Sequence, residues 1–258
     1  MIKEVLSILP KWRIIHLLGI SKLRERYARS VFGQVWLVMA NAIFILVLGI
    51  IWSLIWKMPL DEYLPYVGVG HVVYLYIATT LNEATGIFVS DSRYYLNEKN
   101  SFFLSVSAHL YRSALIFIHN IPLMIFLVVW SDSASFSPDY LFMLFGSLIL
   151  FIFLFFWIYV LAVISTRYRD LIQLFGLIFQ LAFLISPVMW NLEMLPIEYR
   201  DYFMINPIAA FLEIVRNPII GSPVIASAYI SAILWTLAGI WAAFISYRVL
   251  GKKIIFWV

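Results

Sequence analysis

The chain has 258 residues, of which 64% are hydrophobic and 12% charged, with a formal net charge of +4. A soluble domain of this size is about 45–50% apolar and about 25% charged. The composition therefore excludes a soluble globular protein, a disordered chain and a collagen-like fibre, and it leaves an integral membrane protein.

Residues 12–31 come first. At roughly 100° per residue, Leu17, Ile20, Leu23, Tyr27 and Val31 share one sector, and Lys22, Arg26 and Arg29 fall opposite. The pattern predicts an amphipathic interface helix, with its apolar residues in the acyl boundary and its basic residues toward water and anionic headgroups. Arg24 falls inside the apolar sector, where it either snorkels or meets an anionic lipid or lipid-linked substrate.

A helix crossing about 30 Å of hydrocarbon needs about 20 mainly apolar residues. Six such runs follow, at 32–56, 64–89, 110–130, 140–164, 171–190 and 224–247. Period-2 alternation is absent, so an all-α membrane protein with six transmembrane helices is expected rather than a β-barrel. The first run begins too late and is too long for a signal h-region, so the N-terminus is expected to be retained. Of the 18 Lys and Arg residues, only Lys57, Arg200 and Arg216 fall on one side of these spans. The positive-inside rule then places both termini in the cytoplasm.

Glu83 is the one carboxylate well inside a predicted span. Such a group costs about 2.5–3.5 kcal/mol at mid-membrane, so it is expected to face a partner or water. The loop at 91–109 is polar until a short apolar patch at 102–104. That patch is either an exposed docking element for another protein or part of a connector whose Phe residues dip into the interface. In the turn at 165–170, Arg167 and Arg169 read as topology anchors, and Asp170 suits the positive end of the next helix.

The external segment at 186–223 carries five prolines. It predicts short broken helices between spans five and six, dipping into the outer leaflet or lining the mouth of a cavity. Within it, Glu213 and Arg216 face each other as an i, i+3 pair. Read as exposed, the pair is worth about 0.5 kcal/mol.

The chain has no cysteine, which excludes disulfides, cysteine zinc sites and thiol nucleophiles. His16, His71, His109 and His119 are scattered without ligand spacing and read as packing or interfacial residues, so no metal is expected. No phosphate-loop motif is present, so no ATPase is expected on this chain. The net charge is explained by topology, and no nucleic-acid partner is expected.

Three groups of residues carry a family resemblance. Arg24-Glu25-Arg26-Tyr27-Ala28-Arg29-Ser30, with Gly33 and Trp36, precedes and opens span one. Arg167-Tyr168-Arg169-Asp170 follows span four. Ser186-Pro187, Leu195-Pro196, Asn206-Pro207, Arg216 and Gly221 mark the external segment. In this order and topology the chain resembles, over nearly its whole length, the ABC-2 type exporter permeases of O-antigen, capsule and teichoic acid.

The resemblance implies a single membrane domain, with a cytoplasmic and interfacial segment at 1–31, six spans over 32–249 and a tail at 250–258. It implies a homodimer in a bacterial inner membrane, with a channel between the copies. Two separate ABC ATPase subunits would carry ATP and Mg, and this chain would bind no cofactor. The substrate would be a glycan on a polyprenyl diphosphate, O-antigen first, with capsule or teichoic acid as the alternative. Arg24, Arg26 and Arg29 would meet the diphosphate, since Arg forks match phosphate oxygens.

Asn97, Glu98 and Lys99, with Phe102 and Phe103, would form the ATPase coupling surface. Family members often carry a Pro and a Leu-Ile-Lys stretch there, and this chain has neither. Trp36, Phe175, Phe179 and Phe183 are channel-lining candidates, because sugars stack on aromatic faces; lipid-facing packing is the other reading. A small-lipid or drug exporter of the same fold remains an alternative. A membrane-embedded transferase would need clustered acids, and the cytoplasmic loops offer only Asp91, Glu98 and Asp170.

Overall fold

The computed structural model describes residues 1–26, 32–33, 35–92, 101–131 and 140–258, and the described residues are helical without a strand. Near the N-terminus lie α1 (Ile2–Ile8) and α2 (Trp12–Arg26). Then come α3 (Val35–Trp56), α4 (Leu60–Ala84), the single turn α5 (Ile87–Ser90), α6 (Phe102–Trp130), α7 (Tyr140–Arg167) and α8 (Leu171–Ile185). Two short helices follow, α9 (Ile197–Phe203) and α10 (Pro207–Ile219), and α11 (Ala226–Leu250) is last.

Five of these, α3, α4, α6, α7 and α11, are long and apolar enough to cross a membrane. The chain is a multi-pass, all-α membrane protein. At about 1.5 Å per residue, α3 reaches about 33 Å, whereas α8, with 15 residues, reaches about 22 Å. The fifth predicted span, 171–190, is thus a shorter apolar helix. It ends where Ser186 turns to extended backbone ahead of Pro187.

Both termini lie on one face. Tyr247, near the end of α11, donates to Glu4 of α1 at 2.7 Å. Ser101, which caps α6, donates to the same carboxylate at 3.2 Å. Arg167, at the end of α7, lies over the Trp257 ring. On the opposite face, Tyr63 and Tyr66 near the start of α4 donate to the Met189 and Trp190 carbonyls at 2.5 and 2.9 Å.

The core forms around α4, most of which is buried, while α3 exposes most of its surface. Small residues let neighbours close on α4 and α7. A Cβ on Gly68 would lie 2.3 Å from the tip of Leu127, on α6. One on Gly146 of α7 would lie 2.8 Å from the Ile214 carbonyl oxygen of α10.

The α9–α10 pair is a re-entrant excursion. Asn206 caps α10 by accepting from the Ile208 N–H at 3.0 Å, and Pro207 follows at the first helical position, where no N–H is needed. Near its start, Phe211 packs on Phe153, halfway along α7, at a centroid distance of 4.6 Å. Ile214 then meets Gly146, about two turns closer to the start of α7. Residues 208–218 are all buried, so α10 is wedged among α4, α7 and α11. The expectation of short dipping helices holds.

Two expectations near the N-terminus need correction. Lys22 is drawn inward and pairs with Asp91, whereas Arg26 stays exposed while it pairs with Glu83. The expected apolar sector is also divided. Leu23 is buried, whereas Leu17 is exposed with Trp12 and Ile14. The reason is tertiary. Gly19 lets α2 approach the Ala108 carbonyl and the Tyr111 ring of α6, and that contact rotates the basic residues toward carboxylates on α4 and beside α5. Tyr27, Arg29 and Val31 lie outside the described residues.

A Gly146→Ala substitution drives a methyl group into backbone rather than into a movable side-chain tip. It is expected to cost about 1–3 kcal/mol and to lower the thermal unfolding midpoint of the purified protein. Gly68→Ala, which meets the side-chain ends of Leu127 and Ile45 and no backbone, is expected to change the midpoint less.

Candidate functional site

Two polar centres stand out, one on each face. The first is a cavity of about 1060 Å³ on the face of the termini. Its walls come from α2, the end of α4, α5, α6 and the start of α8. Glu83 lies in the last turn of α4, near this face rather than at mid-span. One of its oxygens takes Arg26 at 2.6 Å and the other takes Arg112 of α6. Lys22 holds both oxygens of Asp91, at 2.7 and 2.5 Å. His109 is buried one turn before Arg112 and meets the Thr80 carbonyl at 2.9 Å.

The second centre surrounds Arg216, which is 1% exposed. Its three nitrogens are all engaged. Nη1 donates to the Pro187 carbonyl at 2.5 Å, Nη2 to Glu213 at 3.0 Å and Nε to Asn217 at 3.2 Å. The guanidinium also lies 3.9 Å from the centre of the Tyr66 ring. Asn217 donates to the second Glu213 oxygen at 2.6 Å and to the Pro223 carbonyl at 3.0 Å. Burial pushes the Glu213 carboxyl up, and Arg216 and Asn217 pull it back.

This corrects the reading of Glu213–Arg216 as an exposed pair. The pair is buried because α10 is inserted rather than laid on the surface. Ser186 and Asn206 also meet here, joined by a 2.9 Å hydrogen bond. Three separate sequence motifs, Ser186-Pro187, Asn206-Pro207 and Arg216, therefore converge. Gly221, with φ +72°, turns the chain just after α10.

The remaining site candidates are dispersed. Arg24 is exposed on α2. Arg29, Asn97, Glu98 and Lys99 lie outside the described residues. Phe103 is not a surface docking residue: it is fully buried and stacks on Tyr159 at 4.5 Å. Ser101 starts α6 about two turns before the expected span at 110, accepting from the Phe103 N–H, and this turns Phe103 and Leu104 into the core. Phe102 is half-buried against Phe88.

Trp36 is exposed on α3 and stacks with Phe32 at 6.0 Å. Phe175, Phe179 and Phe183 do share one face of α8, and that face packs toward the core. Tyr74 of α4 donates to the Phe179 carbonyl, and Phe183 contacts Tyr74, His71 and Phe44. The open face of α8 carries Leu174, Leu177, Leu181 and Leu184. Sequence reading missed Arg112 and Asp91 as site residues. Its one available signal was that lone charges at span ends need partners.

Against this geometry, the chain matches the O-antigen export system permease protein RfbA of Klebsiella pneumoniae. It is 24% identical over 229 residues, covering 84% of this chain and 86% of that protein. No family model matches the chain. At this identity the chain is similar to an O-antigen export permease over most of both lengths. The likeness is thus to a transporter subunit.

Removing Arg216 alone leaves a buried carboxylate without its cation, so Arg216→Met is expected to cost about 3–5 kcal/mol. The double variant Arg216→Met with Glu213→Leu removes both charges and is expected to recover most of that loss. Unfolding midpoints of the two variants in detergent check both expectations.

Proposed function

We propose that the chain is the membrane-spanning subunit of an ABC exporter that moves a lipid-linked polysaccharide, O-antigen first, across the bacterial inner membrane. The observation that carries this reading is the match to an O-antigen export permease over 84% of the chain. The five long apolar helices, the shorter α8 and the inserted α10 are consistent with a translocation domain. Capsule or teichoic acid chains are the second reading, because nothing in the side chains named here is specific for one sugar.

In this reading two copies form the channel, and each copy binds a separate ATPase subunit that supplies ATP and Mg chemistry. The face of the termini is cytoplasmic, as its excess of Lys and Arg supports. The ATPase docks near residues 97–99 and the start of α6. The cavity between α2 and α6 is then the cytoplasmic entrance, where Arg26 and Arg112 meet the diphosphate of the carrier.

Deleting the gene is expected to abolish the surface glycan and to accumulate lipid-linked glycan inside the cell. Unchanged surface glycan overturns the proposal. Orientation has its own check, since the chain has no cysteine. In intact cells a membrane-impermeant maleimide is expected to label Glu198→Cys on α9 and to leave Ser7→Cys on α1 unlabelled until the membrane is opened.

A further inference from the structure

Glu83 faces more positive charge than it neutralises. Its single carboxylate serves two guanidiniums, Arg26 on α2 and Arg112 on α6. Among the described residues, the remaining Lys or Arg that lines this cavity, Lys22, is matched one to one by Asp91. The nearest remaining acid, Glu25, is exposed and accepts from Ser21 at 3.2 Å. Arg112 is the more enclosed partner, with 14% of its side chain exposed against 42% for Arg26. Its Nε is buried with no hydrogen-bond acceptor. A buried donor left without an acceptor is unfavourable, so this guanidinium is under-satisfied by the carboxylate it has.

We infer that Glu83 is a resident anion that holds the place of a lipid-borne phosphate, and that the phosphate displaces it. Two guanidiniums converging on one small anion suit a phosphate better than a carboxylate. A phosphate carries more charge, and it has a further oxygen for a second N–H of Arg112. Access is open, because both arginines line the cavity of about 1060 Å³. A second crevice of about 180 Å³ between α3, α4 and α6 begins at the same Arg26 and Glu83. It continues past Thr79 and Ser113 to Leu37, Val72, Ile116 and Phe117. A phosphate at the arginines therefore has a mostly apolar slot beside it, which fits an isoprenoid chain attached to that phosphate.

While Glu83 is in place, it ties α2 to the end of α4 and to α6. Once the phosphate takes both arginines, the carboxylate is released and the tie runs through the substrate. The contact is autoinhibitory: it occupies both arginines with an internal anion, inside an open cavity, until a stronger anion arrives. The inference rests on the export reading for the identity of the lipid and not for the geometry of the exchange.

The test uses the purified full-length chain in detergent, with farnesyl diphosphate as the probe and calorimetric titration as the readout. Glu83→Gln removes the competing charge and is expected to bind the probe at least tenfold more tightly than the native chain. Glu83→Asp keeps the charge but shortens the reach, and it is expected to bind more tightly by a smaller factor. Arg112→Gln is expected to bind at least tenfold more weakly, and Arg248→Gln, an exposed residue of α11 outside the cavity, to match the native chain. Glu83 variants that bind equally or more weakly, while their unfolding midpoints stay close to native, overturn the exchange.

Two further probes identify the source of the phosphate. Equal affinity for inorganic pyrophosphate overturns the lipid slot, and equal affinity for dioctanoyl phosphatidic acid overturns the isoprenoid diphosphate as occupant. The expected Glu83 dependence in a chain whose deletion leaves surface glycan unchanged would uphold the exchange and overturn the export reading instead.

Discussion

A buried arginine on a short helix governs the half of this molecule that lies away from the termini. Arg216 can be 1% exposed only because acceptors reach it from three directions: its own helix, the Pro187 carbonyl and the face of the Tyr66 ring. An ion removed from water without such partners would be prohibitively unfavourable. That requirement fixes neighbouring geometry as well. The chain after α8 must leave helical conformation so that the Pro187 carbonyl points at Arg216. Gly70 of α4 must stay small, because a Cβ there would lie 3.3 Å from the guanidinium. The end of α10 must turn back so that the Pro223 carbonyl can satisfy Asn217. One charge thus orders segments from four parts of the sequence.

This also shows what could be read from the sequence. The class, the apolar spans and the Pro-broken segment were legible, because they depend on composition, run length and local backbone restriction. The helix start at Asn206-Pro207 was legible for the same reason: both residues act within one turn. The burial of Arg216 was not. Its i, i+3 spacing to Glu213 is the same whether the helix lies on a surface or inside a bundle, and it takes tertiary contacts, Ile214 against Gly146 and Phe211 on Phe153, to show that α10 is inserted.

The face of the termini fails in the complementary way. Periodicity on α2 assigned one apolar and one basic side, and it was blind to the carboxylates 57 and 69 residues away that receive Arg26 and Lys22. The Phe residues at 102 and 103 looked like an exposed patch because the preceding residues are polar. Ser101 begins a helix, however, and a helix that begins there carries Phe103 inward onto Tyr159. In each case local pattern gave the element, and tertiary contact decided which side of it was used.

The two polar centres are not independent, because α4 belongs to both. Near its outer end Tyr66 covers Arg216 and Gly70 gives it room, and in its last turn Glu83 holds Arg26 and Arg112. Between them His71 and Tyr74 contact Phe183 of α8. A helix of 25 residues that is mostly buried cannot bend freely along this length, since its flanks are closely packed. A change in what Glu83 holds therefore acts on α4 as a body. The element that the two centres share is this single packed helix.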